Sequence, residues 1–385
     1  MTVSEYIFNF LQEKGCDTVY MVSGSSAMWL TDALQRNQAL KAVCCHHEQA
    51  AAMAADCYGR TRGIPGVCLA TIGPGATNAI TGVAGAFVDS SPMFVLTGQA
   101  NSRLIRYEMS TGIRQHGTQS LNLEPIVSPM VKYFACVLEP GDIIQVMERA
   151  WHEAMDGRKG PVWIDMPVDV QNRQVPEAAE GGPLPSRAAV SPDLAAIAQG
   201  LARAEKPLIL AGGGVRSAGA AAQLNRLCQT LQIPAALSRG GIDVMASSSP
   251  YFVGRPGSYG DRASHFAIQQ CDYLLILGSR LSISTTGYYP QRFGQNAHKV
   301  MVDIDQLELD KPDVPVDVKL CMDLKDFLEG LCGCCEGLDP VDHGAWLAHC
   351  QEMRRQYPNV QPGYAQEHPL NSYYFTHKLS QCAPA

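Results

Sequence analysis

Apolar residues along this chain fall into short runs separated by longer windows of helical periodicity. In the first part, the runs Thr18–Ser23, Lys41–Cys45, Gly66–Thr71, Pro92–Thr97 and Pro161–Asp165 are bounded by Gly, Pro or Ser. Runs of that length and punctuation predict buried strands. Between them, Glu48–Arg62 and Asp142–Met155 read as helices. The opening MTVSEYIFNFLQEKG carries acidic residues and no basic leader region, so it reads as an amphipathic helix of the mature fold. Strand and helix in alternation predict a parallel, doubly wound α/β sheet.

The pattern breaks over residues 171–192, QNRQVPEAAEGGPLPSRAAVSP, which lack apolar periodicity. Such a stretch marks a domain boundary. A helix at Pro192–Ala204, a strand at Pro207–Leu210, the turn Gly212–Gly214 and strands at Ala235–Ser238, Asp272–Leu277 and Lys299–Ile304 predict a second doubly wound parallel-sheet domain. Past about Leu338 the chain reads as irregular, and NSYYFTHKLSQCAPA reads as the start of a helix. The expected division is a first domain at 1–172, a linker at 173–190, a second domain at 191–338 and a further linker with the opening of another domain at 339–385.

Composition narrows the function. Hydrophobic residues make up 46 % of the 385 positions, enough to fill two full cores. The net charge is −7 and no long basic run occurs, which argues against nucleic acid as a partner. No apolar run reaches the roughly 20 residues that span a bilayer, so no membrane partner is expected and the cytoplasm is the expected compartment. Cysteines there stay reduced, and most of the 14 sit in apolar runs as small hydrophobes. Cys332, Cys334, Cys335, His343, His349 and Cys350 form a cluster whose spacing does not match zinc-site pairs, so no metal ligand is assigned.

Chemistry concentrates at three strand-to-helix turns. Glu48 stands where a strand ends and an alanine-rich helix begins, in His47-Glu48-Gln49-Ala50-Ala51. There it can complement the helix dipole, or face a ligand at the carboxyl end of a sheet. The second turn is Thr71-Ile72-Gly73-Pro74-Gly75-Ala76-Thr77-Asn78. The third is Asp89-Ser90-Ser91-Pro92, leading to Thr97-Gly98-Gln99.

These three motifs, in this order and spacing, resemble the pyrimidine-binding domain of acetolactate synthases and related carboligases, which use thiamine diphosphate. The likeness runs on through Gly160-Pro161-Val162-Trp163-Ile164-Asp165-Met166-Pro167-Val168-Asp169-Val170. It implies that Glu48 hydrogen-bonds the aminopyrimidine ring nitrogen and thereby promotes loss of the thiazolium C2 proton. The resemblance places Gln119 at the reacting centre and assigns Gly24, Ser25, Gly73, Pro74, Gly75 and Asn78 to the cofactor. Gly213, Gly214, Gly278, Arg280, Asp303 and Asp305 look like an FAD-binding middle domain. The implied reaction decarboxylates pyruvate and transfers a two-carbon unit. The implied assembly is a homodimer or homotetramer with sites between subunits.

Departures from the family pattern bear on the acceptor. The segment Gly112-Ile113-Arg114-Gln115-His116 is more similar to carboligases of surface-sugar pathways, which makes Arg114 and His116 the substrate candidates. Val168 stands where acetolactate synthases have a lysine, and the arginine those enzymes carry near Ser284 has no counterpart here, with Arg280, Arg292 or a further region left to supply that charge. A carboxylate acceptor would lack those cations. The acceptor is therefore expected to be a 2-oxo acid or a nucleotide-linked ketosugar. The turn Ser23-Gly24-Ser25-Ser26-Ala27 stands where the family has P-G-G-A, either as a small-for-small exchange in a turn, where serine is common, or as two added hydroxyls that alter acceptor choice. The G-D-G and N-N motifs with which this family holds Mg²⁺ and the diphosphate do not occur in the sequence. Mg²⁺ is accordingly expected to act through a third domain. The competing expectation is a truncated, non-catalytic flavin- or nucleotide-binding paralogue, or a gene fragment.

Overall fold

A computed structural model describes residues 1–177, 181–182, 184, 192–338 and 342–383. The chain divides into two compact units, Met1–Ala188 and Ala189–Ala385. Residues 178–180, 183 and 185–190 of the expected linker lie outside the described residues. Its first residues do not run free. The Val175 amide donates to Met1 O at 3.1 Å, and Gln174 forms an antiparallel bridge with Thr2.

In the first unit the strands are β1 (Thr18–Met21), β2 (Lys41–Cys44), β3 (Gly66–Ala70), β4 (Met93–Gln99), β5 (Tyr133–Cys136) and β6 (Pro161–Pro167). They pair in parallel in the order β2-β1-β3-β4-β6-β5. The α/β class and the doubly wound parallel sheet agree with the sequence reading. The opening helix, Val3–Glu13, starts with a capping box between Thr2 and Glu5 and buries Ile7, Phe8 and Leu11. Those side chains join Val19, Leu34, Phe94, Met147 and Ile164 in the core on one face of the sheet.

The opposite face is built largely from alanine. Ala51, Ala52 and Ala55 of helix Glu48–Arg62 meet Ala76, Ala79 and Val83 of helix Pro74–Val88 over Cys68, Val95 and Trp163. Small side chains let these helices approach closely. A Cβ on Gly82 would lie 2.5 Å from the Ala52 Cβ.

In the second unit the strands are β7 (Pro207–Ala211), β8 (Ala235–Leu237), β9 (Phe252–Gly254), β10 (Tyr273–Leu277), β11 (His298–Asp303) and β12 (Val318–Cys321). Their parallel order is β12-β11-β10-β7-β8-β9. Read from β9, this is the 3-2-1-4-5-6 order of dinucleotide-binding sheets.

One expectation is corrected here. The chain beyond Leu338 is not irregular, because Gly344–Gln356 forms a helix. It buries Trp346 and Cys350 among Leu208, Ile268, Leu274 and Ile276. The Trp346 indole donates to Pro207 O at 2.9 Å. His343, just before this helix, sits with its two ring nitrogens 2.7 Å from Leu231 O and 3.1 Å from Ala204 O. Cys332 and Cys335 pack inward from helix Leu324–Glu336 as small hydrophobes. Among the described residues, no group of three or more His, Cys, Asp or Glu is placed to hold a metal ion, and no helix is long and apolar enough to cross a membrane.

Candidate functional site

The first sheet reverses its direction of growth between β1 and β3, which opens a crevice at their carboxyl ends. Gly24 follows β1, and Thr71 to Gly75 follow β3. A Cβ on Gly24 would lie 2.4 Å from the Thr71 Cβ, so this turn admits no side chain. A Cβ on Gly75 would lie 2.7 Å from Thr71 Cγ2 and 3.2 Å from Glu48 Oε1. Glu48 is buried and enters the crevice from the end of β2. Its Oε2 accepts a 3.0 Å hydrogen bond from Asn78 Nδ2. His47 acts as a cap, its Nδ1 accepting from the Gln49 amide at 3.1 Å. The Thr71 hydroxyl is buried with no hydrogen-bond partner. A buried hydroxyl without a partner is suited to meet a ligand or water, and here it faces the crevice glycines.

Gln119 reaches the same place through its backbone. It is a non-glycine residue in the left-handed region, at φ 60°. A Cβ on Gly73, itself at φ 53°, would lie 2.3 Å from Gln119 O. Strain of this kind survives only where surrounding contacts over-determine it. Those contacts centre on Glu108, whose carboxylate accepts from the Gly117 amide at 2.7 Å, from the His116 amide and from the Ser120 hydroxyl. Burial opposes ionisation of Glu108, but the Ser120, Gly117 and His116 donors outweigh it and hold the carboxyl below its ordinary range. His116 packs its ring on Tyr107 at 5.0 Å between centroids, and Arg114 is exposed on the same loop. Ser25 is exposed, and Pro74 opens the helix that follows the glycine turn.

The second sheet has its own crevice, between β7 and β10. Its two glycine loops interlock. The Gly212 amide donates to Leu277 O at 2.8 Å, and the Gly214 amide to Gly278 O at 3.1 Å. A Cβ on Gly278, at φ 53°, would lie 2.6 Å from the Gly214 Cα. Arg280 follows on the exposed rim, next to Leu281 at φ 47°. Asp303 ends β11, buried, and its Oδ1 accepts from the Asp305 amide at 3.0 Å. The Asp305 carboxylate caps the short turn of helix Gln306–Leu309 by accepting from the Leu307 amide. Two of the four non-glycine residues with positive φ among those described therefore lie in these two sites.

Two family models match the chain. The N-terminal TPP binding domain of thiamine pyrophosphate enzymes matches residues 1–125, and their central domain matches residues 194–331. The chain belongs to the thiamine pyrophosphate enzymes. It is 32 % identical over 365 residues to a probable acetolactate synthase large subunit of Methanocaldococcus jannaschii, covering 92 % of this chain and 60 % of that protein. It is 31 % identical over 388 residues to the large subunit of acetolactate synthase isozyme 2 of Escherichia coli, covering 99 % of this chain and 66 % of that protein. The chain thus spans less than two thirds of these relatives' length.

The chemistry of the first crevice fits the cofactor of a thiamine pyrophosphate enzyme, because it offers a buried carboxylate, an unpaired hydroxyl and glycine turns packed too closely for side chains. Glu48, Gly24, Gly73, Gly75, Asn78 and the backbone of Gln119 come together there. Arg114 and His116 lie on the loop that carries Gln119. Thr71 and Glu108 are site residues that the sequence reading did not single out, although Thr71 stands in the second motif.

Proposed function

We propose that this chain carries the pyrimidine-activating part of a carboligase that decarboxylates a 2-oxo acid such as pyruvate and transfers a two-carbon unit. The observation that carries this reading is Glu48, buried at the sheet's switch point beside the partnerless Thr71 hydroxyl. Bound thiamine diphosphate would supply the carbon nucleophile and the electron sink. Glu48 would hold a proton at the pyrimidine ring nitrogen. Asn78 orients that carboxylate, and Gly75 brings no side chain against its Oε1. Gln119 would act on the reacting substrate from a fixed backbone.

The acceptor is a 2-oxo acid or a nucleotide-linked ketosugar, with Arg114 and His116 facing it. FAD is assigned to the β7–β10 crevice, where Gly213 and Gly214 open the helix after β7, Gly278 packs against them from the end of β10, and Arg280 supplies a cation. Asp303 and Asp305 would meet its hydroxyls. Magnesium, which the resemblance places with the cofactor's diphosphate, is assigned no residue of this chain. A homodimer or homotetramer in the cytoplasm completes the reading. Support for self-association comes from the uncharged exposed residues Ala50, Met53, Cys57, Thr81, Phe87 and Val88 on the two alanine-rich helices.

The test is an assay of the protein from its complete reading frame with pyruvate, thiamine diphosphate, Mg²⁺ and a panel of acceptors. Glu48→Gln should slow cofactor C2 hydrogen–deuterium exchange by about 10²-fold or more, with the fold retained. Unchanged exchange would refute the role of Glu48. FAD binding without any Glu48-dependent chemistry would instead establish the non-catalytic reading.

A further inference from the structure

Asp165 lies on β6 near its carboxyl end and is buried at 2 % exposure with no cation among its hydrogen-bond partners. Its register partner on β4 is Thr97. Thr97 Oγ1 lies 2.8 Å from Asp165 Oδ1, and Gln99 Nε2 lies 2.8 Å from Asp165 Oδ2. The Trp163 indole N–H lies 2.9 Å from Thr97 Oγ1. Two further contacts fix the Gln99 amide. Its Oε1 accepts from the Ala100 amide at 2.9 Å, and its Nε2 donates to Leu121 O at 3.1 Å.

Proton inventory makes this network directional. An indole N–H can only donate, so Thr97 Oγ1 accepts from Trp163 and its own proton goes to Asp165. The Ala100 amide can only donate, so Gln99 presents its NH₂ to both Leu121 O and Asp165. Asp165 thus receives two oriented donors, and no alternative arrangement of Gln99 satisfies the same partners. A buried carboxylate kept among neutral donors is costly, and burial pushes Asp165 up to about 7. Filling the position with an apolar residue would avoid that cost. What the carboxylate secures is the Gln99 amide, and what that amide reaches is the loop two residues beyond Gln119.

We propose that Asp165 is a positioning residue for the Gln119 loop, acting through the Gln99 amide and the Leu121 carbonyl. The loop is then held from both sides. Glu108 takes the amides of His116 and Gly117, while Gln99 takes the carbonyl of Leu121. Between these anchors, Gln119 is kept at positive φ with its carbonyl against Gly73. That this matters for catalysis rests on the reading of Gln119 given above; the anchoring of the loop does not.

Hydrogen exchange by mass spectrometry on the 385-residue chain separates the two. Asp165→Asn leaves one of the two oriented donors without an acceptor, and Gln99→Met removes the arm to Leu121. Both should raise exchange at 117–123 by tenfold or more while leaving β3 within twofold. Thr97→Val removes a bond to Asp165 but not the arm to Leu121, and should leave the loop within twofold. Unchanged exchange at 117–123 in Gln99→Met, or an equal rise across the whole sheet, would overturn the proposal even if Asp165→Asn failed to fold. In the active protein, Asp165→Asn should lower kcat with KM held, and its effect should be non-additive with Gln119→Ala. Additive effects would remove Gln119 from the reacting centre and leave the loop anchor standing.

Discussion

Asn78 Nδ2 donates to Glu48 Oε2 at 3.0 Å, joining the first turn of one alanine-rich helix to the second turn of the other. The bond orients a buried carboxylate beside glycines that cannot supply polar partners. Asn78→Ala should cost about 1 kcal/mol, since the carboxylate loses a donor at a partly exposed edge. Asn78→Asp should cost more at pH 7, because two carboxylates at that spacing cannot both ionise readily. Urea unfolding of both variants at pH 7 measures this, and equal stabilities would contradict the contact.

Gly73 sits at φ 53° and ψ −110°, with Gln119 O filling the place of its missing side chain. Gly73→Ala should destabilise the first unit by about 2 kcal/mol or more through strain and collision. Gly85 is the control, because a Cβ there meets nothing within 4 Å in the same helix. Gly85→Ala should be neutral or stabilising by up to about 1 kcal/mol. Thermal unfolding midpoints that fell equally in both variants would contradict the role given to Gln119 O.

Much of this architecture was legible in the chain because buried parallel strands are continuous apolar runs. β1, β3, β4, β6, β7, β8, β10 and β11 all sit on such runs. β5 and β12 are only partly buried along their length and gave no run to read, and the short β9 was not read as a strand either. Helix Gly344–Gln356 was hidden by its polar residues, since only Trp346 and Cys350 are buried in it. The glycine turns of both sites were readable as motifs. The partners that fix them were not. Glu108 acts on amides eight and nine residues away, and Asp165 meets Gln99 across 66 residues of sequence. The first pairs form only once the loop folds back on its helix, and the second only once strand order has set β4 beside β6.

Asp165 also sets a pH dependence of stability. Burial raises its pKa from 3.8 to about 7, against the opposing donors Gln99 and Thr97. Between those values the folded state keeps a proton that the unfolded state has released. The residue's contribution to stability is therefore complete below about pH 4 and declines as pH rises to about 7. Asp165→Asn has no proton to lose. The stability difference, wild type minus variant, should fall across that window and be flat above it. Parallel stability curves from guanidinium unfolding between pH 4.5 and 8 would show that Asp165 does not titrate as its surroundings require.

Arg280 offers a clean separation of ligand binding from folding in the second unit. Its side chain is exposed, so Arg280→Ala should change stability by no more than about 0.5 kcal/mol. If it meets an FAD phosphate, the variant should bind added FAD about tenfold more weakly, read by quenching of flavin fluorescence. Gly278→Ala should lose both stability and flavin, because its Cβ would strike the Gly214 Cα at 2.6 Å. Equal FAD affinity in wild type and Arg280→Ala would remove Arg280 from the flavin site.

Trp346 decides whether the chain beyond Leu338 is part of the second unit's core or an appendage to it. Its ring is buried against Leu208, Leu274 and Ile276, and its N–H is satisfied by Pro207 O at the start of β7. An indole with its one donor paired adds both area and a directional bond, so losing it leaves a cavity and an unmet carbonyl. Trp346→Ala should cost about 3–5 kcal/mol. Trp346→Phe keeps most of the volume and should lose only the hydrogen bond, about 1 kcal/mol. The effect should appear in the second unit, as faster hydrogen exchange in β7 and β10, with β3 of the first unit unchanged. An alanine variant as stable as wild type would mean that Gly344–Gln356 contributes nothing to this core.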